Sequence, residues 1–102
     1  MITWAFEDMK SWEEVKKQYN LGSKLTGEII HKAPFGVFLD FGESFHARLE
    51  IIEMDNLNYD AYQADQQYKV GEVIEGIVAD YMENNQQIRI TKKGKNPLDL
   101  LV

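Results

Sequence analysis

Cysteine is absent from this chain of 102 residues. That excludes disulfides, thiol catalysis and cysteine-ligated zinc together. Histidine is scarce: only His31 and His46 occur, too few for a histidine-built metal cage, and both read as ordinary strand residues. Long apolar runs are missing as well. The longest hold two or three residues, too short to cross a membrane as a helix. The N-terminus lacks the charged-then-apolar order of a secretory signal. No serine sits in a nucleophile elbow, and no glycine loop has the spacing of a phosphate cradle. Asp55, Asp60 and Asp65 lack the spacing and the internal glycine of a calcium loop, so they read as a solvated acidic surface. The expectation left standing is a cytoplasmic, monomeric protein that is not an enzyme and needs no cofactor or metal.

What is present fits one globular domain. Hydrophobic residues make up 44% and aromatic residues 12%, enough for a modest core and too much for wholesale disorder. Seventeen acids against eleven bases give a net charge of −6. That total argues against a nucleic-acid role, because such domains are usually basic. The charge is unevenly placed, however. Residues 51–87 carry eight acids and one base, whereas Arg89, Lys92, Lys93 and Lys95 form a basic stretch without an acid. Such a chain is dipolar, and local charge decides what each face binds.

Periodicity divides the chain. Phe6, Met9, Trp12, Val15 and Tyr19 recur at helical spacing. Ser11 with Glu14 forms a capping-box pattern, and Asn20 and Gly22 suit a helix end, so a short amphipathic helix is expected over at least 12–19. From Lys24 the period falls to two. Leu25, Gly27 and Ile29 mark a first strand that Pro34 ends or bends. Residues 36–41 form a second, with Val37, Leu39 and Phe41 on one face and Phe38 and Asp40 on the other. A third spans about 45–51. Residues 53–69 lose periodicity and read as a polar loop with a helical turn. Val73 to Val78 begin a long fourth strand. After the turn at Asn84-Asn85, residues 87–91 form the fifth.

Five short strands with internal glycines suit a small closed barrel. Gly27 and Gly76 are expected where backbones coil tightly or pass close together. The expected fold is mainly β, a five-stranded OB-fold barrel with a short N-terminal helix, and oligonucleotide binding is its common trade. The expected organisation is a helical lead-in over 1–22 packed on the barrel, the barrel domain over 23–93 and a tail over 94–102.

Several motifs add a resemblance. Ser11-Trp-Glu-Glu-Val15, Tyr19 and Gly22-Ser-Lys-Leu-Thr-Gly27 resemble the lead-in and first strand of the S1 RNA-binding domain, the repeat of ribosomal small-subunit protein S1. Pro34-Phe-Gly-Val-Phe-Leu-Asp40 resembles that family's most recognisable motif. Tyr68-Lys-Val-Gly-Glu-Val73 and Gln87-Ile-Arg-Ile-Thr91 resemble its fourth and fifth strands. The match runs over 11–91. It implies a barrel that binds single-stranded RNA weakly, without strong sequence specificity, with Phe35 and Phe38 stacking on bases. Phe38 is expected to be exposed. Arg89, Lys92, Lys93, Lys24 and Lys32 are the candidates to hold phosphates.

The polar partners depart from the family pattern. Glu50 stands where a histidine is common, Ile52 where a serine is, Ala47 for a glycine and Arg48 for an apolar residue. Gln87 replaces an arginine, with Glu83 nearby. A carboxylate about 6 Å from a phosphate costs on the order of 1–3 kcal/mol at intermediate dielectric. Glu50 has an alternative use, accepting a hydrogen bond from a base amino group. A second reading is therefore a protein-interaction module whose acidic 53–83 surface meets a basic partner such as a ribosomal protein.

Overall fold

The computed structural model describes residues 10–93. Helix α1 spans Trp12–Gln18. Its start follows from the sequence: Glu14 N donates to Ser11 Oγ at 3.2 Å and Ser11 N donates to Glu14 Oε1 at 3.0 Å. The Ser11 backbone N–H first, and then the Ser11 hydroxyl, hold the Glu14 carboxyl below its usual value. The continuation of the helical pattern to Phe6 and Met9, and the tail beyond 93, lie outside the described residues.

Five strands follow: β1 Lys24–Ala33, β2 Gly36–Asp40, β3 His46–Glu50, β4 Val73–Met82 and β5 Gln87–Thr91. They close in the order β1-β2-β3-β5-β4, and β3 with β5 is the parallel pair. This is the expected OB barrel. Leu25, Ile29, Val37, Leu39, Ala47, Leu49, Ile74, Val78, Ile88 and Ile90 fill its interior. The two strand glycines do what their positions suggested. A Cβ on Gly27 would lie 2.9 Å from the Asp40 carbonyl oxygen, and one on Gly76 2.7 Å from Ile90 Cδ1.

Two ends need closing. At one, α1 lays Trp12 and Val15 into the core, with Trp12 against Phe45 and Tyr81. Tyr81 Oη donates to the Tyr19 carbonyl at 2.8 Å, occupying an acceptor at the helix end. At the other lies the segment between β3 and β4, expected as a polar loop with a helical turn. It carries a 3₁₀ turn at Ile51–Glu53 and helix α2 at Tyr59–Gln63. It also supplies core: Tyr62 is 2% exposed, and its hydroxyl donates to the Ala33 carbonyl.

Two irregularities matter for the surface. The β1–β2 register shifts between Ile29 and His31, and the β4–β5 register shifts between Val78 and Asp80. Each bulge reverses the alternation that strict period two would impose. Beyond Ile29, both Ile30 and His31 are exposed. Beyond Val78, Asp80 turns out and Tyr81 turns toward the core.

Candidate nucleic-acid interface

The register builds one row of outward side chains across all five strands. His31 pairs with Phe38, Phe38 with Arg48, Arg48 with Arg89 and Arg89 with Asp80. The two bulges are what bring His31 and Asp80 into this row. At one end the chain is aromatic. The ring centroids of His31 and Phe38 are 5.7 Å apart, and those of Phe35 and Phe38 are 5.8 Å apart at 89°. Phe35 is 42% exposed. Phe38, expected to be exposed, is half-buried, because its ring is flanked by His31, Phe35 and Arg48.

Toward β5 the face is ionic. The Arg48 guanidinium carbon sits 4.4 Å from the Phe35 ring centre and 5.7 Å from that of Phe38. Arg48 Nη2 pairs with Glu50 Oε2 at 3.0 Å. Arg89 Nε faces Glu50 Oε1 at 3.5 Å, and Arg89 Nη1 faces Asp80 Oδ2 at 3.7 Å. Glu50 is thus not a lone carboxylate in the path of a phosphate. It bridges two arginines, and that changes the sign of its local environment. Gln87 lies two residues along the same face of β5, opposite His46. Three enclosed polar atoms of this face, Arg48 Nε, Arg89 Nε and Gln87 Oε1, have no hydrogen-bond partner. Nearly all such atoms in folded proteins are satisfied, so their concentration on one face is informative.

Of the candidates named from sequence, Phe35, Phe38, Glu50, Gln87 and Arg89 come together here. Lys32 does not. Its ammonium pairs with Asp65 at 3.1 Å, donates to the Gln67 carbonyl at 2.7 Å and lies 4.2 Å from the Tyr62 ring centre. It pins the α2 segment to the barrel. Lys24 stands at the opposite end of β1, paired with Ile77, seven residues and so roughly 23 Å along the strand from His31. Lys92 and Lys93 follow β5 in sequence; Lys92 N donates to the Glu53 carbonyl at 3.0 Å, and Lys92 lines clefts with Asp55, Glu72 and Glu75 rather than with the aromatic pair. Sequence reasoning passed over His31, Arg48 and Asp80. A tally of bases would have flagged Arg48, but a one-residue bulge leaves no sequence mark to flag the other two.

Much of the acidic surface serves internal contacts. Trp12 Nε1 donates to Glu83 Oε1 at 2.8 Å and Lys16 Nζ to Glu83 Oε2 at 2.9 Å. These bonds, led by that from Lys16, hold the Glu83 carboxyl below its usual range. Glu72 accepts from Lys69 N at 2.8 Å. Among the described residues no three acidic or histidine side chains group as a metal site.

No protein-family model matches the chain. Among solved structures it is similar to GSP13 from Bacillus subtilis, with 18% identity and a TM-score of 0.60 over 82% of this chain and 70% of that one. It is similar to an uncharacterized protein of Methanocaldococcus jannaschii, with 18% identity and a TM-score of 0.57 over 71% of this chain and 89% of that one. It is also similar to RNase R of Mycoplasma genitalium in complex with ribose methylated single-stranded RNA. There the identity is 18% and the TM-score 0.59 over 78% of this chain, which spans only 14% of that enzyme. These likenesses show a shared fold, and the chain folds as the OB barrel that its S1-like motifs implied.

Proposed function

We propose that this chain is a single-stranded RNA-binding module and that it acts by binding, without catalytic chemistry of its own. The observation that carries the reading is the five-strand row itself. An aromatic end, Phe35 and Phe38, adjoins two arginines, Arg48 and Arg89, that Glu50 holds on the face. Bases stack on aromatic rings whatever their sequence, and arginines hold phosphates. The likeness to RNase R, solved with a single strand bound, supports the same choice of ligand. Phosphate recruitment falls to Arg48 and Arg89 on the face. The carboxylates of Glu50 and Asp80 hold the arginines in place and oppose the phosphates, which keeps affinity modest.

The protein-docking reading draws less support. Glu83, Asp65 and Glu72, three of its acids, are engaged by Trp12 with Lys16, by Lys32 and by Lys69 N. The test is anisotropy of a labelled single-stranded RNA with the whole chain and with Phe38→Ala. Binding by the whole chain that the substitution weakens supports the proposal. Equal binding by both proteins, or none, refutes it.

A further inference from the structure

Glu50 occupies an unusual position for an acid on such a face. It stands outward on β3, two residues from Arg48, opposite Gly36, and its neighbour Ile51 N donates to the Phe35 carbonyl at 2.8 Å. It is therefore tied to the aromatic pair from below and flanked by arginines on both sides. A base stacked on Phe38 extends across the roughly 4.8 Å gap between strands and presents its edge to β3. There it meets an acceptor flanked by donors.

Carboxylate and guanidinium side by side select among bases. A carboxylate has two oxygens in one plane and accepts two parallel hydrogen bonds. Uracil offers one ring N–H. Adenine and cytosine offer an exocyclic amino group whose ring neighbour is an acceptor, which repels the second oxygen. Guanine alone offers N1–H and the N2 amino group side by side, with O6 next to them as an acceptor for an arginine. Arg48 meets Glu50 through Nη2 and Arg89 through Nε, so each guanidinium has further N–H groups that can meet O6. The two arginines also hold the carboxylate in place on the face, where a base edge can reach it.

We infer that Glu50 is a specificity-determining residue that reads guanine, accepting from N1–H and the N2 amino group while Arg48 or Arg89 donates to O6. The inference rests on the RNA-binding reading and adds one position of base choice to an otherwise sequence-tolerant site.

The experiment titrates the whole chain with a short uridine oligonucleotide and with the same oligonucleotide carrying one central guanosine, inosine, adenosine or cytidine. Inosine keeps N1–H and O6 and lacks the N2 amino group. Guanosine is expected to tighten binding about tenfold, which corresponds to ~1.4 kcal/mol, at the low end of a bidentate base contact. Inosine should stay near uridine. Glu50→Gln keeps the shape, loses the double acceptor and frees the arginines. It should bind the uridine oligonucleotide more tightly than the parent while losing the guanosine preference. These opposite effects separate loss of reading from loss of folding. If the parent binds every oligonucleotide equally, or Glu50→Gln keeps the preference, Glu50 is not the reader and the RNA-binding proposal stands without it. If no oligonucleotide binds, the RNA-binding proposal itself falls, and this inference with it.

Discussion

Phe38 joins the aromatic and ionic halves of the face, and its substitution separates binding from folding. The ring is half-buried on the outside of the barrel, so truncation leaves the interior packing of Val37 and Leu39 intact. Phe38→Ala is expected to weaken single-stranded RNA by about 1–3 kcal/mol while the melting temperature changes little, read by titration and thermal denaturation of the same samples. A second pair of residues tests the charge. Glu50→His with Gln87→Arg adds two units of positive charge at neutral histidine and releases Arg48 and Arg89 from a bridging carboxylate. Tighter binding by roughly 1–3 kcal/mol is the expected outcome. At this scale the sequence was only partly readable. Phe35, Phe38, Glu50, Gln87 and Arg89 share a face because period two and the strand order put them there. Lys32 looked equally available as a letter, but its four-carbon stem reaches the α2 segment, where Asp65 and the Gln67 carbonyl take its ammonium.

Elements that close the barrel ends respond to different conditions. Glu83 links β4's far turn to α1 through Trp12 and Lys16. Its carboxyl is held below the ordinary value of 4.5, so the folded state favours the ionised form. The stabilisation is therefore present above that ordinary value and is lost as pH falls through the lower folded value. The Trp12 indole N–H resonance should move in that acidic window, and Glu83→Gln should abolish the movement. At the other end, Tyr62 plugs the barrel from α2. Tyr62→Ala is expected to cost about 3–5 kcal/mol of stability by denaturant unfolding. Both strand glycines and all five strands were legible as alternation and punctuation. The two bulges were not, because an inserted residue changes register without changing composition, and His31 and Asp80 moved outward with them. Nor was the core role of Tyr62, since a single buried aromatic in a polar stretch has no period to betray it.

At the scale of the whole molecule, two facts pull against each other: a net charge of −6 and an arginine-bearing aromatic face. Geometry reconciles them, because several acids are engaged in holding the helices and the loop to the barrel. Two stacked bases at about 1–3 kcal/mol each give roughly 2–6 kcal/mol, and with the arginine–phosphate contacts added the dissociation constant is expected between about ten micromolar and millimolar. Two phosphate contacts, through Arg48 and Arg89, predict a salt slope of about −1.4 on logarithmic axes. Nanomolar binding with a much steeper slope would require cations that this face does not present. The most direct measurement of the central claim is a backbone-amide chemical-shift map of the whole chain titrated with unlabelled single-stranded RNA. Shifts are expected to concentrate at His31, Phe35, Phe38, Arg48, Glu50, Gln87 and Arg89, running across the strands in register order. Shifts confined to the 51–72 segment or to the Lys24 end of β1, or no shifts at millimolar RNA, would contradict it.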